Sequence, residues 1–327
     1  MSTTTTRPPG GSAPPPVERS TPSTVLDRFR RRPSTRPVWM EKPTPAGSAL
    51  KGSVLTAVVV LVVFPFVVVI ATSLAGQAEL TRNGGFVLWP EDPTLDAYRA
   101  VLSGGVVSRA VLVSAGVTLL GTAISLTATV LAAYGLSRKG STLQRPLLLI
   151  VLLTFLFTPG IIPSYLVVKQ LGMLDSYAAL ILPTAISAFN VVIVRGFFQS
   201  IPQELMDSAR IDGAGEWRIL GVIVLPLSKA VIAVVGLFYA VGYWNNFFSG
   251  LLYLSDSSKW PLQLVLRTYV LQGSPLAGLD GSGAEALPPQ QSVQMAVLVI
   301  ALVPILCVYP FLQRHFTKGV LTGAVKG

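Results

Sequence analysis

Six stretches of this 327-residue chain contain no Asp, Glu, Lys or Arg: residues 52–78, 110–137, 146–168, 176–194, 230–255 and 286–313. Each is 19 residues or longer and apolar through its middle, as in Val54 to Ile70 (VLTAVVVLVVFPFVVVI) and Met295 to Leu312 (MAVLVIALVPILCVYPFL). A hydrocarbon core about 30 Å thick takes about 20 helical residues to cross. Inside lipid a backbone must satisfy its own hydrogen bonds, so such segments are helices rather than strands. The competing reading, a soluble protein with six buried helices, fails on composition. Only 12% of the residues are charged, against about 25% in soluble domains. The expected fold class is an all-α polytopic membrane protein with six transmembrane helices. Residues 176–194 form the shortest segment and contain Pro183.

The net charge of +10 is a matter of topology. With six spans both termini share one side. That side carries 19 Lys and Arg residues and the opposite side carries 6. Basic loops stay in the cytoplasm, so both termini are expected there, and no nucleic-acid partner is needed to explain the charge. Residues 1–48 are rich in Thr, Ser and Pro and end in an Arg cluster from Arg28 to Arg36. That composition cannot bury a core and reads as a disordered cytoplasmic tail, its arginines touching anionic membrane lipid. A signal peptide would place its apolar stretch nearer the start. A single cysteine, Cys307, and a single histidine, His315, leave no basis for a disulfide framework, a metal centre or a His-based active site. Cys307 reads as a buried apolar filler.

The connection 195–229 is longer than its cytoplasmic counterpart and is patterned. Ser200 with Gln203 matches a capping box, and Pro202 suits a first helical turn. A helix through Glu204 to Ile211 would end at Gly213 and Gly215, and a second piece from Glu216 to Leu225 would stop at Pro226. This helix–turn–helix displays Leu205, Ala209 and Ile211 among Glu204, Asp207, Arg210 and Asp212. Such a knob fits a groove on another protein.

Asp207-Ser208-Ala209, three residues, Gly213, nine residues, Ile223, one residue, Leu225-Pro226 resembles the EAA-x3-G-x9-I-x-L-P loop of ABC importer permeases. Asp207 stands in place of the usual Glu and Ser208 in place of Ala. The segments GIIPSYLVVKQLG (160–172), IPQELMDSARIDGA (201–214), LFYAVGYWNNFF (237–248) and YPFLQRHFTKGVLTGAVKG (309–327) are similar to carbohydrate-type permeases of the subfamily that includes LplC and YtcP. The resemblance covers residues 49–327, with a shared core of about 105–314 and a coupling loop at 200–226.

That resemblance implies a type I ABC importer transmembrane domain in a bacterial cell membrane, importing oligosaccharides by alternating access. It also implies a second permease, two copies of a cytoplasmic ATPase and an extracytoplasmic solute-binding lipoprotein. The loop residues it implicates are Glu204, Asp207, Ser208, Ala209, Asp212, Gly213 and Ala214, with Ile223, Leu225 and Pro226 fastening the loop to the next span. No GxxxxGK[ST] phosphate loop occurs in the chain. ATP and Mg2+ would therefore be used by the partner ATPase, and this chain is expected to be no enzyme and to bind no cofactor itself.

The solute path is less marked. No ionisable side chain lies deep in a span, which argues against an ion-coupled secondary carrier. Asn190, Tyr243, Trp244, Asn245 and Asn246 are the pathway candidates: an aromatic face suits a sugar ring, and amides suit its hydroxyls. Helix packing and interfacial anchoring use the same residue types. Three alternatives stay open: an ion-coupled carrier, a non-transport membrane protein, and a permease for a non-sugar solute.

Overall fold

The computed structural model describes residues 44–103, 105–138, 143–157, 159–272 and 289–323. The tail 1–43, the Gly-rich piece after Gln272 and the last four residues lie outside them. Among the described residues the chain is helical, with no strand. It divides into two compact units, residues 1–58 and 59–327.

Helix α1 spans Pro45–Ser73. At its start, within the first unit, the Thr44 Oγ1 accepts from Gly47 N at 3.2 Å. The helix is apolar all round and its side chains stay largely exposed until Ala71, Thr72 and Ser73, which are buried. Lipid is the solvent that such a surface requires. In the second unit, Thr72 Oγ1 accepts from Val87 N at 3.1 Å and the Ser73 and Tyr98 hydroxyls lie 2.7 Å apart. Two short helices follow, α2 (Gln77–Arg82) and α3 (Asp96–Ser103).

The 32-residue helix α4 (Val106–Ser137) is the organising element. Its buried stripe reads Ala110, Ser114, Val117, Gly121, Ser125, Thr129, Ala133 and Leu136, spaced by three or four residues and mostly small or hydroxylated. Helix α12 (Lys229–Trp244) packs along that stripe. A Cβ on Gly121 would lie 2.8 Å from the Tyr243 ring, so glycine is needed there; at Gly116 a Cβ would meet nothing within 4 Å. Hydroxyl pairs then fix the register: Ser125 with Tyr243 and Thr129 with Tyr239, each at 2.7 Å. Such bonds contribute about 0.6 kcal/mol each on average inside membranes, with small residues supplying the close packing.

Three of the charge-free segments form helices that are long and apolar enough to cross a bilayer without a break: α1, α4 and Gln290–Val308, the first part of α15 (Gln290–Gly323). The other three are interrupted within their apolar runs. The third splits into α5 (Gln144–Leu156) and α6 (Ile161–Gln170), where Gly160 takes a φ of +83°. In the fourth, Pro183 sits in a 3-10 turn that follows α7 (Ala178–Ile181) and bends the chain by 53° into α8 (Ala188–Gln199). The fifth breaks after Trp244 and resumes as α13 (Phe248–Tyr253). Gly160 and Pro183 lie at the first two of these interruptions, and Asn245 is the C-cap of α12 at the third. Counting each bent pair as one span, α5 with α6, Ala178–Thr184 with α8, and Glu216–Leu227 with α12, gives up to six by length and composition.

Cys307 is exposed, not buried. The physical reason is that an apolar side chain in a spanning helix can face lipid as readily as protein.

After Trp260 the chain forms α14 (Leu262–Gln272), preceded by a 3-10 turn at Ser257–Lys259. That turn is clasped to the α6–α7 connection. Asp175, at a φ of +55°, accepts from Ser255 N at 3.1 Å and Asp256 N at 3.0 Å and pairs with Lys259 Nζ at 2.7 Å. The Lys259 hydrogen bond, then that of the Asp256 amide, holds the Asp175 carboxyl below its ordinary 3.8. The same pair raises Lys259 above its ordinary 10.5. Asp175 thus contributes stability above its unfolded pKa and loses it as pH falls through the lowered folded value. Lys259 contributes below its unfolded pKa and loses it as pH rises through the raised value. The thermal midpoint of Asp175→Asn, a residue that also tolerates positive φ, should lie below wild type by a constant margin between about pH 5 and 9. That margin should shrink in acid. A margin unchanged down to pH 2 would contradict the clasp.

Candidate functional site: the loop between α8 and α12

Loop helix α9 covers Gln203–Ile211, and the second piece runs as α10 (Glu216–Ile219), a π turn (Leu220–Val224) and α11 (Leu225–Leu227). The helix passes through Pro226 instead of stopping before it, a correction to the expectation. The wider π turn ahead of the proline relaxes the backbone clash that usually ends a helix there. An 85° bend then leads into α12.

The start of α9 also differs from the expected capping box. Ser200 donates to Phe197 O at 2.7 Å and closes α8, while Pro202 precedes α9 with no side-chain cap. Ser200 lies within reach of two helix ends, and the preceding carbonyl wins its hydroxyl.

The end of α9 is built as the sequence suggests. Gly213 takes a φ of +80°. Its N–H donates to Arg210 O at 3.0 Å, and Ala214 N donates to Ala209 O at 2.9 Å. This pair of bonds is a Schellman motif, and Ala209 and Ala214 both pack against the main core. A larger residue at Ala209 would meet that core. Buried Met206, Ile219 and Val224 pin both loop helices beneath, with Leu225 packed beside them. Ile223 is half-buried and Pro226 exposed.

Glu204, Asp207, Ser208 and Asp212 are exposed, as are three large apolar side chains: Leu205, Ile211 (87%) and Trp217 (77%). The capped turn and its two flanking helices thus leave three large apolar side chains uncovered.

The sequence reading missed the ionic core of this loop. Asp207 Oδ1 lies 2.7 Å from Arg210 Nη1, and Arg210 Nε lies 3.3 Å from Glu216 Oε1. Glu216 also pairs with Arg138, just past the end of α4, and accepts from the Tyr134 hydroxyl at 2.8 Å. The Arg138 guanidinium covers the Tyr134 ring at 4.3 Å and donates to Met206 Sδ at 3.4 Å. Burial lowers the Arg138 pKa, and Glu216 pulls it back up. Asp207 and Arg210 at a spacing of three were a visible signal. Arg138 lies 78 residues from Glu216, and nothing local announces that pair.

The pathway candidates divide. Tyr243 and Trp244 are buried within the helix packing: the Tyr243 hydroxyl donates to Ile181 O at 3.2 Å, and Trp244 Nε1 donates to Ala301 O at 3.1 Å. Trp244 also borders an apolar cavity of about 170 Å3 beside Thr118 and Pro304. Asn190 is buried on α8. Exposed Asn245 turns back on Val241 O at 3.0 Å, and Asn246 Oδ1 caps α13 through Ser249 N at 3.1 Å. The two asparagines therefore meet at the break in the fifth segment. Gln294 donates to Tyr269 O at 2.9 Å and lines a cavity of about 440 Å3 together with Gln77, Thr81 and Gln291. Among the described residues, no cluster of His, Cys, Asp or Glu could hold a metal.

Residues 125–322 match the family described as binding-protein-dependent transport system inner membrane component. The chain belongs to that family, whose members are multi-pass membrane permeases rather than catalytic subunits. It is 50% identical over 266 residues to the polygalacturonan/rhamnogalacturonan transport system permease protein YtcP of Bacillus subtilis, covering 81% of this chain and 93% of that one. Protein LplC of the same organism is 49% identical over 267 residues, covering 82% of this chain and 90% of LplC. One chain in the crystal structure of a bacterial ABC transporter involved in the import of the acidic polysaccharide alginate has a similar fold, with a TM-score of 0.79 at 26% identity. The match covers 85% of this chain and 100% of that chain. The expected resemblance to LplC-like and YtcP-like permeases is borne out.

Gly213→Ala should lower the thermal midpoint of the purified protein, because an L-residue in the left-handed region costs about 1–2 kcal/mol. Limited proteolysis should cut the variant faster between α9 and α10. Equal stability and equal cleavage would contradict the Schellman geometry.

Proposed function

We propose that this chain is the transmembrane permease subunit of an ATP-driven importer of oligosaccharides in a bacterial cell membrane, with both termini cytoplasmic. The observation that carries the reading is the rigid knob of α9 and α10, which leaves Leu205, Ile211 and Trp217 in water. Three large apolar side chains on a capped, buttressed turn call for a protein groove to cover them. Its spacing fits the loop through which such permeases engage an ATPase. Type I importer architecture, with the permease domain at 49–327 and the coupling loop at 200–226, agrees with the family match and the fold likeness.

The partners in this reading are a second permease, two cytoplasmic ATPase copies and an extracytoplasmic solute-binding lipoprotein. Mg2+ and ATP act in the ATPase, and this chain holds neither. Closure of the ATPase pair moves the knob, and the helices alternate access to a central path. Asn190, Asn245 and Asn246 remain the candidates for contact with sugar hydroxyls. Tyr243 and Trp244, candidates from the same region, would act through the packing that positions that path. YtcP is described as serving polygalacturonan and rhamnogalacturonan, and the solved relative serves alginate. Uronate-containing oligosaccharides are therefore the substrate class we favour.

The test is reconstitution of the permease pair, ATPase and receptor in proteoliposomes, with trigalacturonate as the probe. Uptake should require Mg-ATP. Ile211→Asp should weaken capture of the ATPase by about tenfold or more, since a charge would enter the centre of the contact. Uptake that persists without nucleotide, or a wild-type chain that captures no ATPase, would overturn the proposal.

A further inference from the structure

The cavity of about 440 Å3 at the start of α15 differs in chemistry from the apolar one beside Trp244. One side of it is α2, which contributes Gln77 and Thr81, four residues apart and so on one helix face. The other is the first turn of α15, which contributes Gln291 and Gln294, three residues apart. Leu80 and Pro289 add an apolar border, and none of the lining residues carries a charge. The volume falls within the range of small-molecule sites, about 300–1,000 Å3.

Two fixed contacts set the width of this cleft. The buried Ser292 hydroxyl donates to Ala75 O at 2.7 Å, which fastens the first turn of α15 to the residues just ahead of α2. At the far end of α2, Gly85 N donates to Leu80 O at 2.8 Å. Gly85 takes a φ of +101°, and a Cβ there would lie 2.9 Å from Gln291 Oε1. Glycine therefore leaves the Gln291 amide its place.

The polar groups around the space are only partly used. Gln294 Nε2 donates to Tyr269 O at 2.9 Å, which leaves Gln294 Oε1 as an acceptor. The Thr81 hydroxyl donates to Gln77 O at 2.9 Å and keeps its lone pairs. Among the described residues the side-chain amides of Gln77 and Gln291 make no hydrogen bond. Each amide offers two donors and an acceptor. A divalent cation would want carboxylates here, and a phosphate would want Arg or Lys. An apolar ligand would leave the amides unpaired. Neighbouring hydroxyls on a sugar ring, each a donor and an acceptor, match the set.

We propose that this cleft between α2 and α15 is an outer subsite that holds one sugar residue of the incoming oligosaccharide by its hydroxyls, in addition to the asparagines at the break in the fifth segment. In the topology proposed above it opens outside the cell. The inference rests on the oligosaccharide-importer reading and adds to it a place where the solute is held before it enters the membrane.

The experiment uses the assembled permease pair and ATPase in lipid nanodiscs, with the receptor left out so that it cannot bind the sugar itself. The probe is trigalacturonate, followed by its proton NMR signals. A nitroxide on Ala78→Cys, an exposed position on α2, in a Cys307→Ser background, should broaden those signals, and chemical reduction of the nitroxide should abolish the broadening. Gln291→Glu is nearly isosteric but sets a carboxylate against an anionic probe, and it should weaken the binding by about tenfold. Gln77→Ala should weaken it by about threefold. If Gln291→Glu fails to assemble, Gln77→Ala combined with Thr81→Val decides, with a loss of about tenfold expected. No broadening from position 78, or broadening that these variants leave unchanged, overturns the subsite. Uptake is measured separately, on the complete complex with receptor in proteoliposomes. A wild-type complex that takes up no trigalacturonate with Mg-ATP defeats the importer reading, whereas normal uptake without broadening defeats the subsite alone.

Discussion

Lipid gives two apolar helices no hydrophobic reason to associate, and the rest of this structure depends on how α4 answers that constraint. Its buried face is built largely of glycine, alanine, serine and threonine, with Val107, Val117, Val130 and Leu136 among them. Small side chains let α12 approach until the Tyr243 ring covers Gly121, and the hydroxyls of Ser125 and Thr129 take the two tyrosine hydroxyls. Tyr239 also accepts from Ser187 N at 3.0 Å, which ties in the start of α8. Polar atoms that would be a cost in hydrocarbon thereby become the contacts that set register.

The same helix links the membrane core to the loop. Its upper stripe fixes α12, and its last turn supplies Tyr134, with Arg138 just beyond, to Glu216. The loop is rigid for local reasons, a Schellman turn at Gly213 and buried Met206 and Ile219, and it is connected for non-local ones. It is braced against the helix around which the others pack. Elsewhere in the chain, the Asp175–Lys259 clasp holds the α6–α7 connection to the turn before α14.

Much of the fold was legible because charge is so costly in hydrocarbon that its absence over 19 or more residues marks a span. Composition says nothing about interruptions inside an apolar run, however. Pro183 and Gly160 show as breaks only once their backbone angles are known, and the stop at Asn245 had no proline to signal it. Within the loop, Gly213 was readable because a glycine after a helical run marks a left-handed cap. Ser200 misled because its hydroxyl could serve the end of one helix or the start of another. Tyr243 and Trp244 carried an ambiguous signal: a polar aromatic in an apolar run marks a packing tie as well as a ligand contact, and both side chains are buried in hydrogen-bonded packing. The Arg138–Glu216 pair was out of reach for another reason. It spans 78 residues, and only the packing of α4 against the loop brings it together.

The central claim is that the α9–α10 knob faces the cytoplasm and is gripped there by a separate ATPase. Accessibility of a single cysteine at position 211 tests it most directly. Ile211→Cys in a Cys307→Ser background, treated with a membrane-impermeant maleimide, should react in inside-out vesicles and stay unreacted in right-side-out ones. Binding of the ATPase should then protect it. Reaction from the outer face, or a rate that the bound ATPase leaves unchanged, would contradict the account.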